Sequence, residues 1–188
     1  MSVQATTRTL ILGGARSGKS TEAERRLADL AAASGGGARY AATGGTRAGD
    51  TEWAERIALH RSRRPASWET VETTDVAALL RAADRPLLVD CLTLWLTAAM
   101  DQVGAWDEES WYSGGQSALA ERVDDLAEAW QLAPAPVIAV SNEVGLGIVP
   151  ESAAVRRFRD EQGRLNQRIA AASDAVVLMV AGIAVTVR

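Results

Sequence analysis

Lysine is almost missing from this chain of 188 residues: of its 20 basic side chains, Lys19 alone is a lysine and the rest are arginines. Histidine and cysteine occur once each, as His60 and Cys91. A solitary cysteine excludes an internal disulfide, and the first seven residues lack the basic-then-apolar pattern of a secretory leader, so the expected compartment is the cytoplasm. No apolar run approaches the ~18 residues that a membrane span needs. Surplus positive charge is absent too. A formal net charge of −4 argues against nucleic-acid binding as the main business of the protein. There is no internal repeat, linker or low-complexity tail, and 47% hydrophobic with 23% charged residues is ordinary for a soluble domain. Residues 1–188 are expected to form one domain.

The one lysine sits in a telling place. Gly13-Gly14-Ala15-Arg16-Ser17-Gly18-Lys19-Ser20 follows an apolar run and precedes a helical pattern, with the spacing of a P-loop. Glycines let backbone N–H groups approach phosphate oxygens, and the helix that follows adds the positive end of its dipole. Lys19 is expected along the β- and γ-phosphates of a nucleotide, and the Ser20 hydroxyl on the accompanying Mg²⁺. A composition that avoids lysine elsewhere suggests that a compact ammonium is needed here and a planar guanidinium will not serve.

Periodicity divides the rest of the chain into alternating strands and helices. Strands are expected at Arg8 to Leu12, Arg39 to Ala42, Trp68 to Glu72, Pro86 to Asp90 and Val137 to Val140, then at Ala175 to Val180 and Ala184 to Val187. Helices are expected at Thr21 to Ala33, Thr51 to the region before Pro65, Asp75 to Ala83, Cys91 to Val103, Ala118 to Leu132 and Glu151 to Ala172. Asp107 to Gly115 reads as a polar insertion. The Ala181-Gly182 step predicts a tight turn and an antiparallel edge strand. The fold class is α/β: a P-loop, RecA-like, mostly parallel open sheet with helices on both faces.

Several residues carry two readings. Asp90, an acid closing the run Leu87-Leu88-Val89, is a candidate Mg²⁺ ligand of Walker B type, or a cap for the next helix. Trp95, Trp106 and Trp111 pack a core or a subunit contact, or else form a surface for a large, partly apolar ligand. Arg156, Arg157 and Arg159 read as a solvated helix face. His60 is a helix-end histidine or a nucleophile: neutral imidazole attacks phosphorus to form a phosphoramidate, and adjacent arginines neutralise the phosphate charge.

With Gly13 to Ser20, the stretches Ala42-Thr43, Glu55-Arg56-Ile57 with His60, Arg64-Pro65, Leu87 to Thr93, Ser141 to Pro150, Gly163 to Gln167 and Ala181-Gly182-Ile183 resemble the bifunctional adenosylcobinamide kinase / adenosylcobinamide-phosphate guanylyltransferase family of cobalamin biosynthesis. The resemblance spans nearly the whole chain. It implies phosphorylation of adenosylcobinamide by ATP or GTP, then transfer of GMP from GTP through a guanylyl-histidine to adenosylcobinamide phosphate. His60 and Lys19 fall on its catalytic positions. Its nucleotide contacts fall on Gly13 to Ser20, Ala42, Thr43, Gly44, Arg61, Ser62, Arg63, Arg64, Glu72 and Asp90, and it implies a homotrimer. Gly44 to Gly49 is longer than the family's usual loop, and Trp53 stands where methionine is common. Because guanylyl transfer needs attack at the α-phosphorus, Gly49 to Arg64 is expected to swing His60 inward after the kinase step.

Overall fold

A computed structural model describes residues 7–45 and 64–188, together with residues 49, 51, 55, 58 and 61. Seven strands form one sheet: β1 (Arg8–Gly13), β2 (Ala38–Ala42), β3 (Trp68–Glu72), β4 (Leu87–Asp90), β5 (Val137–Asn142), β6 (Ala175–Val180) and β7 (Ile183–Thr186). Their spatial order is β3-β2-β4-β5-β1-β6-β7, with every neighbouring pair parallel except β6 and β7. The expected α/β P-loop architecture with an antiparallel C-terminal edge is therefore present.

Strand side chains alternate between two cores, as a period of two requires. On one face Leu10, Leu87, Val89, Val137 and Ala139 pack with α2 (Val76–Arg81), α3 (Leu92–Gln102), α4 (Gln116–Leu132) and α5 (Ala153–Ala171). On the other, Ile11, Tyr40, Leu88, Ile138 and Val140 pack against Ala23, Leu27 and Ala31 of α1 (Lys19–Ala33). Strands buried on both faces read as continuous apolar runs, which is why Leu87-Leu88-Val89 and Val137 to Val140 stood out. The helix stripes fall where the 3.6-residue period puts them. Leu119, Leu126 and Trp130 of α4 are buried, and the Trp130 indole N–H donates to Ser173 Oγ at 3.1 Å.

The sheet closes through a two-residue turn in which Ala181 (φ 51°) and Gly182 (φ 82°) are both left-handed, the geometry that matches the twist of a hairpin. Gly182 N–H donates to Ser17 O at 3.0 Å, so this hairpin buttresses the loop after β1.

Two expectations need refining. Asp107 to Gly115 is polar and mostly exposed, but it is helical and anchored by one buried side chain. Asp107 caps a helical turn at Glu108–Ser110 by accepting from Ser110 N–H at 2.8 Å, and the π-type turn Trp111–Gly115 that follows buries Trp111 in the core. The apolar indole outweighs its polar neighbours. Arg156, Arg157 and Arg159 do not form a solvated face. All three are half-buried: Arg156 donates to Pro150 O at 2.9 Å, Arg157 to Ala105 O, and Arg159 to Gly145 O at 2.6 Å. These guanidiniums satisfy loop carbonyls that lack secondary-structure partners. Of the three tryptophans, Trp95 and Trp111 are core residues, while Trp106 is partly exposed beside Phe158, ring centroids 6.2 Å apart.

Candidate functional site

Parallel α/β sheets gather ligands at the carboxyl ends of their strands, where loop backbone and helix N-termini converge. Strands β2, β3 and β4 end level with one another, Ala42 in register with Glu72 and with Asp90, and β1 and β5 end together at Gly13 and Asn142, two residues further on. The cleft above them is lined by Lys19 and Ser20 from the start of α1, Ala42, Gly44 and Gly45 after β2, Glu72, Asp90 and Asn142 from strand ends, and Arg61 and Arg64.

The loop from Gly13 to Ser20 begins where no side chain fits. A Cβ on Gly13 would lie 2.7 Å from Met179 O, on the neighbouring strand β6. Gly18, left-handed at φ 94°, opens α1. Lys19 is buried, and its ammonium donates to Gly14 O at 2.6 Å, arching back over the loop. Ser17 Oγ is buried with no hydrogen-bond partner among the described residues.

Opposite the loop, the acid closing β4 is held by an aromatic hydroxyl. Tyr40 donates its phenol hydrogen to Asp90 Oδ2. Burial above all, then the charge of Asp90, pushes the phenol far above its ordinary range, so it stays a donor. The Arg64 guanidinium stacks 3.4 Å over the Tyr40 ring and donates to Thr70 Oγ1 at 3.2 Å. Arg61 pairs with Glu72 across the mouth of the cleft.

Thus Lys19, Ser20, Ala42, Gly44, Arg61, Arg64, Glu72 and Asp90, separated in sequence by up to 71 positions, line one cleft. Gly14, Ala15 and Arg16 form the exposed crest of the loop beside it. Thr43 differs: it is buried, and its hydroxyl accepts from Cys91 N–H at 2.8 Å while donating to Cys91 O at 2.7 Å. Its side chain braces the turn after β4 instead of facing the cleft. His60, Ser62 and Arg63 lie outside the described residues, as does the expected travel of His60. Tyr40, Cys91, Leu94, Val140 and Asn142 also line the cleft and were not anticipated. Asn142 alone had a legible signal, a polar residue ending an apolar strand.

The cleft therefore offers an ammonium, two guanidiniums, a helix N-terminus and the carboxylates of Glu72 and Asp90, a set suited to a polyphosphate with its cation. Ser20 and Asp90 supply hard oxygen donors, and among the described residues no group of three or more His, Cys, Asp or Glu is placed to cage a metal. Hard oxygen donors are the kind that Mg²⁺ takes, with phosphate and water filling the rest of its shell.

Comparison with known proteins supplies the family. Residues 9–187 match the family model described as cobinamide kinase / cobinamide phosphate guanyltransferase. The chain is 48% identical over 180 residues to the bifunctional adenosylcobalamin biosynthesis protein CobP of Pseudomonas aeruginosa, covering 94% of each chain. It is 41% identical over 186 residues to the bifunctional adenosylcobalamin biosynthesis protein CobU of Salmonella typhimurium and 40% identical over 185 to that of Escherichia coli, in both cases covering 95% of this chain and 98% of the relative. With an end-to-end family match and relatives this similar over nearly their whole lengths, the chain belongs to the cobinamide kinase / cobinamide phosphate guanyltransferase family.

Proposed function

We propose that this chain performs two transfers at the one cleft. In the first, the hydroxyl of the aminopropanol arm of adenosylcobinamide attacks the γ-phosphorus of ATP or GTP, and the nucleoside diphosphate leaves. In the second, a ring nitrogen of His60 attacks the α-phosphorus of GTP, forming a P–N bond as pyrophosphate departs. A phosphate oxygen of adenosylcobinamide phosphate then attacks the same phosphorus, the P–N bond breaks, His60 is regenerated and adenosyl-GDP-cobinamide is released.

The observation that carries this reading is that Arg61, next to His60 in the chain, lines the same cleft as Lys19, Ser20 and Asp90. Lys19 and the loop N–H groups bind and orient the phosphates; Arg61 and Arg64 lie where charge builds on the phosphorus under attack. Ser20 and Asp90 would hold Mg²⁺, which supplies neutralisation of the phosphate oxygens. The relatives' names, which place them in adenosylcobalamin biosynthesis, support a corrinoid acceptor. The homotrimer implied by the family resemblance belongs to the same reading. Leu146, Ile148 and Val149, all exposed, are surface that assembly would cover, and sedimentation velocity reads the state directly.

Intact mass analysis after incubation with Mg²⁺ and GTP tests the second transfer. One added GMP is expected on the natural chain and none on His60→Ala, which keeps phosphorylating adenosylcobinamide. An unmodified natural chain, or an adduct surviving in the variant, overturns the guanylyl-histidine.

A further inference from the structure

Strand β5 lies between β1, which carries the glycine loop, and β4, which carries Asp90. Its last residue, Asn142, is level with Gly13 and two positions beyond Val140, the residue level with Asp90. A side chain there stands between the lysine-bearing loop and the acid, and Asn142 lines the cleft with both.

Its backbone is fixed from two sides. The Asn142 N–H donates to Thr93 Oγ1 of α3 at 2.9 Å, and its carbonyl accepts from Asn166 Nδ2 of α5 at 3.0 Å. Asn166 belongs to a buried polar knot: its Oδ1 accepts from Ser141 Oγ at 2.6 Å and from Gln162 Nε2 at 2.9 Å, and Gln162 Nε2 also donates to Ser141 Oγ at 2.9 Å. Ser141 and Gln162 are 0% exposed and Asn166 4%. Burying that many polar groups costs desolvation that an apolar contact would avoid, so the knot calls for a purpose other than stability. One residue further on, Glu143 N–H donates to Gly13 O at 3.1 Å, locking this turn to the glycine loop.

The Asn142 carboxamide, by contrast, makes no hydrogen bond to the described residues. A polar side chain whose backbone is doubly anchored, whose own donor and acceptor are uncommitted among the described residues, and which lines a phosphate-suited cleft is preorganised for a ligand.

We propose that Asn142 reads the terminal phosphate of the bound nucleoside triphosphate, its Nδ2–H donating to a γ-phosphate oxygen, and that Thr93 and Asn166 are positioning residues acting through its backbone. This rests on the reading above that the triphosphate occupies this cleft. The assignment concerns the ligand's third phosphate. Asn142 therefore separates triphosphate from diphosphate, whereas Lys19 and the loop amides hold both.

Calorimetric binding of GDP and of a non-hydrolysable GTP analogue, each with Mg²⁺, tests it without turnover. Asn142→Ala is expected to weaken the analogue about tenfold, since a hydrogen bond to a charged group is lost, and to leave GDP within about twofold. Truncating an uncommitted side chain leaves both backbone anchors intact, so the melting temperature of the unliganded protein should not move. Thr93→Val, which removes the anchoring oxygen at nearly constant volume, should lower the analogue's affinity in the same selective way, and Thr93→Ser should restore it. Equal weakening of GDP and analogue, or no weakening of either, overturns the assignment. A protein that binds both nucleotides with this selectivity yet modifies no corrinoid would count against the proposed function alone.

Discussion

The phenol of Tyr40 and the carboxylate of Asp90, fifty positions apart in the chain, share a hydrogen bond on the floor of the cleft. β2 and β4 run side by side with Tyr40 level with Leu88, so the tyrosine side chain reaches the acid two residues further along the neighbouring strand. Arg64 closes the other side of the ring.

Removing that donor should therefore loosen the acid. Tyr40→Phe is expected to lower stability in denaturant melts by about 1.5–3 kcal/mol, the scale for a hydrogen bond to a charged group. It should also reduce kcat/KM for phosphoryl transfer roughly tenfold. A variant with natural activity and an unchanged melt would mean that Asp90 needs no help in keeping its place.

Gly13 meets strand β6 too closely for any side chain. Gly13→Ala would drive a methyl toward Met179 O, a backbone atom that cannot rotate away because Gly13 and Met179 are paired in the sheet. Destabilisation of about 1–3 kcal/mol is expected, the range for overpacking. Weaker triphosphate binding in equilibrium dialysis should accompany it as the loop is displaced. Tolerance of the methyl in both measurements would show that the strands separate more easily than their pairing implies.

Cys91 lines the cleft but is a poor nucleophile. Burial first, and then the adjacent Asp90 charge, push its thiol up to about 11. At pH 8 the folded protein should react with iodoacetamide about a hundredfold or more slowly than the unfolded chain, whose thiol has an ordinary value near ~8.5. The rate should climb with pH, tenfold per unit, until about pH 11. A fast, pH-independent reaction of the folded protein at pH 7–8 would contradict the buried setting of the thiol.

On α1, bonding to Arg25 first and then to Arg26 holds the Glu22 carboxyl down to about 2. A depressed folded-state value stabilises the fold above the unfolded value of ~4.3 and loses that contribution as pH falls through about 2. Glu22→Gln should thus cost roughly 0.5–1 kcal/mol at pH 7, as for a partly exposed ion pair, with the gap to the natural chain closing toward pH 2. Melts at pH 7, 4 and 2 check this, and a constant gap at all three would rule out the ion pairs as its source.

Local pattern determined much of this protein. The apolar runs of β1, β4 and β5, the stripe of α4, the Ala181-Gly182 turn and the glycine loop were all legible, because each depends on residues within a few positions of one another. The sole lysine, a feature of the whole composition, marked the glycine loop that lines the cleft. Composition misled where one residue departed from its surroundings: Trp111 is buried within a polar, mostly exposed stretch, and Arg157 and Arg159 turned to loop carbonyls 52 and 14 positions away.

What only the tertiary structure decided is the strand order and everything that follows from it. Placing β5 between β1 and β4 sets Asn142 beside Lys19 and Asp90, and pairing β2 with β4 brings Tyr40 to the acid. Such neighbours lie tens of residues apart in the chain, and strand spacing and sheet register, set by long-range packing, make them meet.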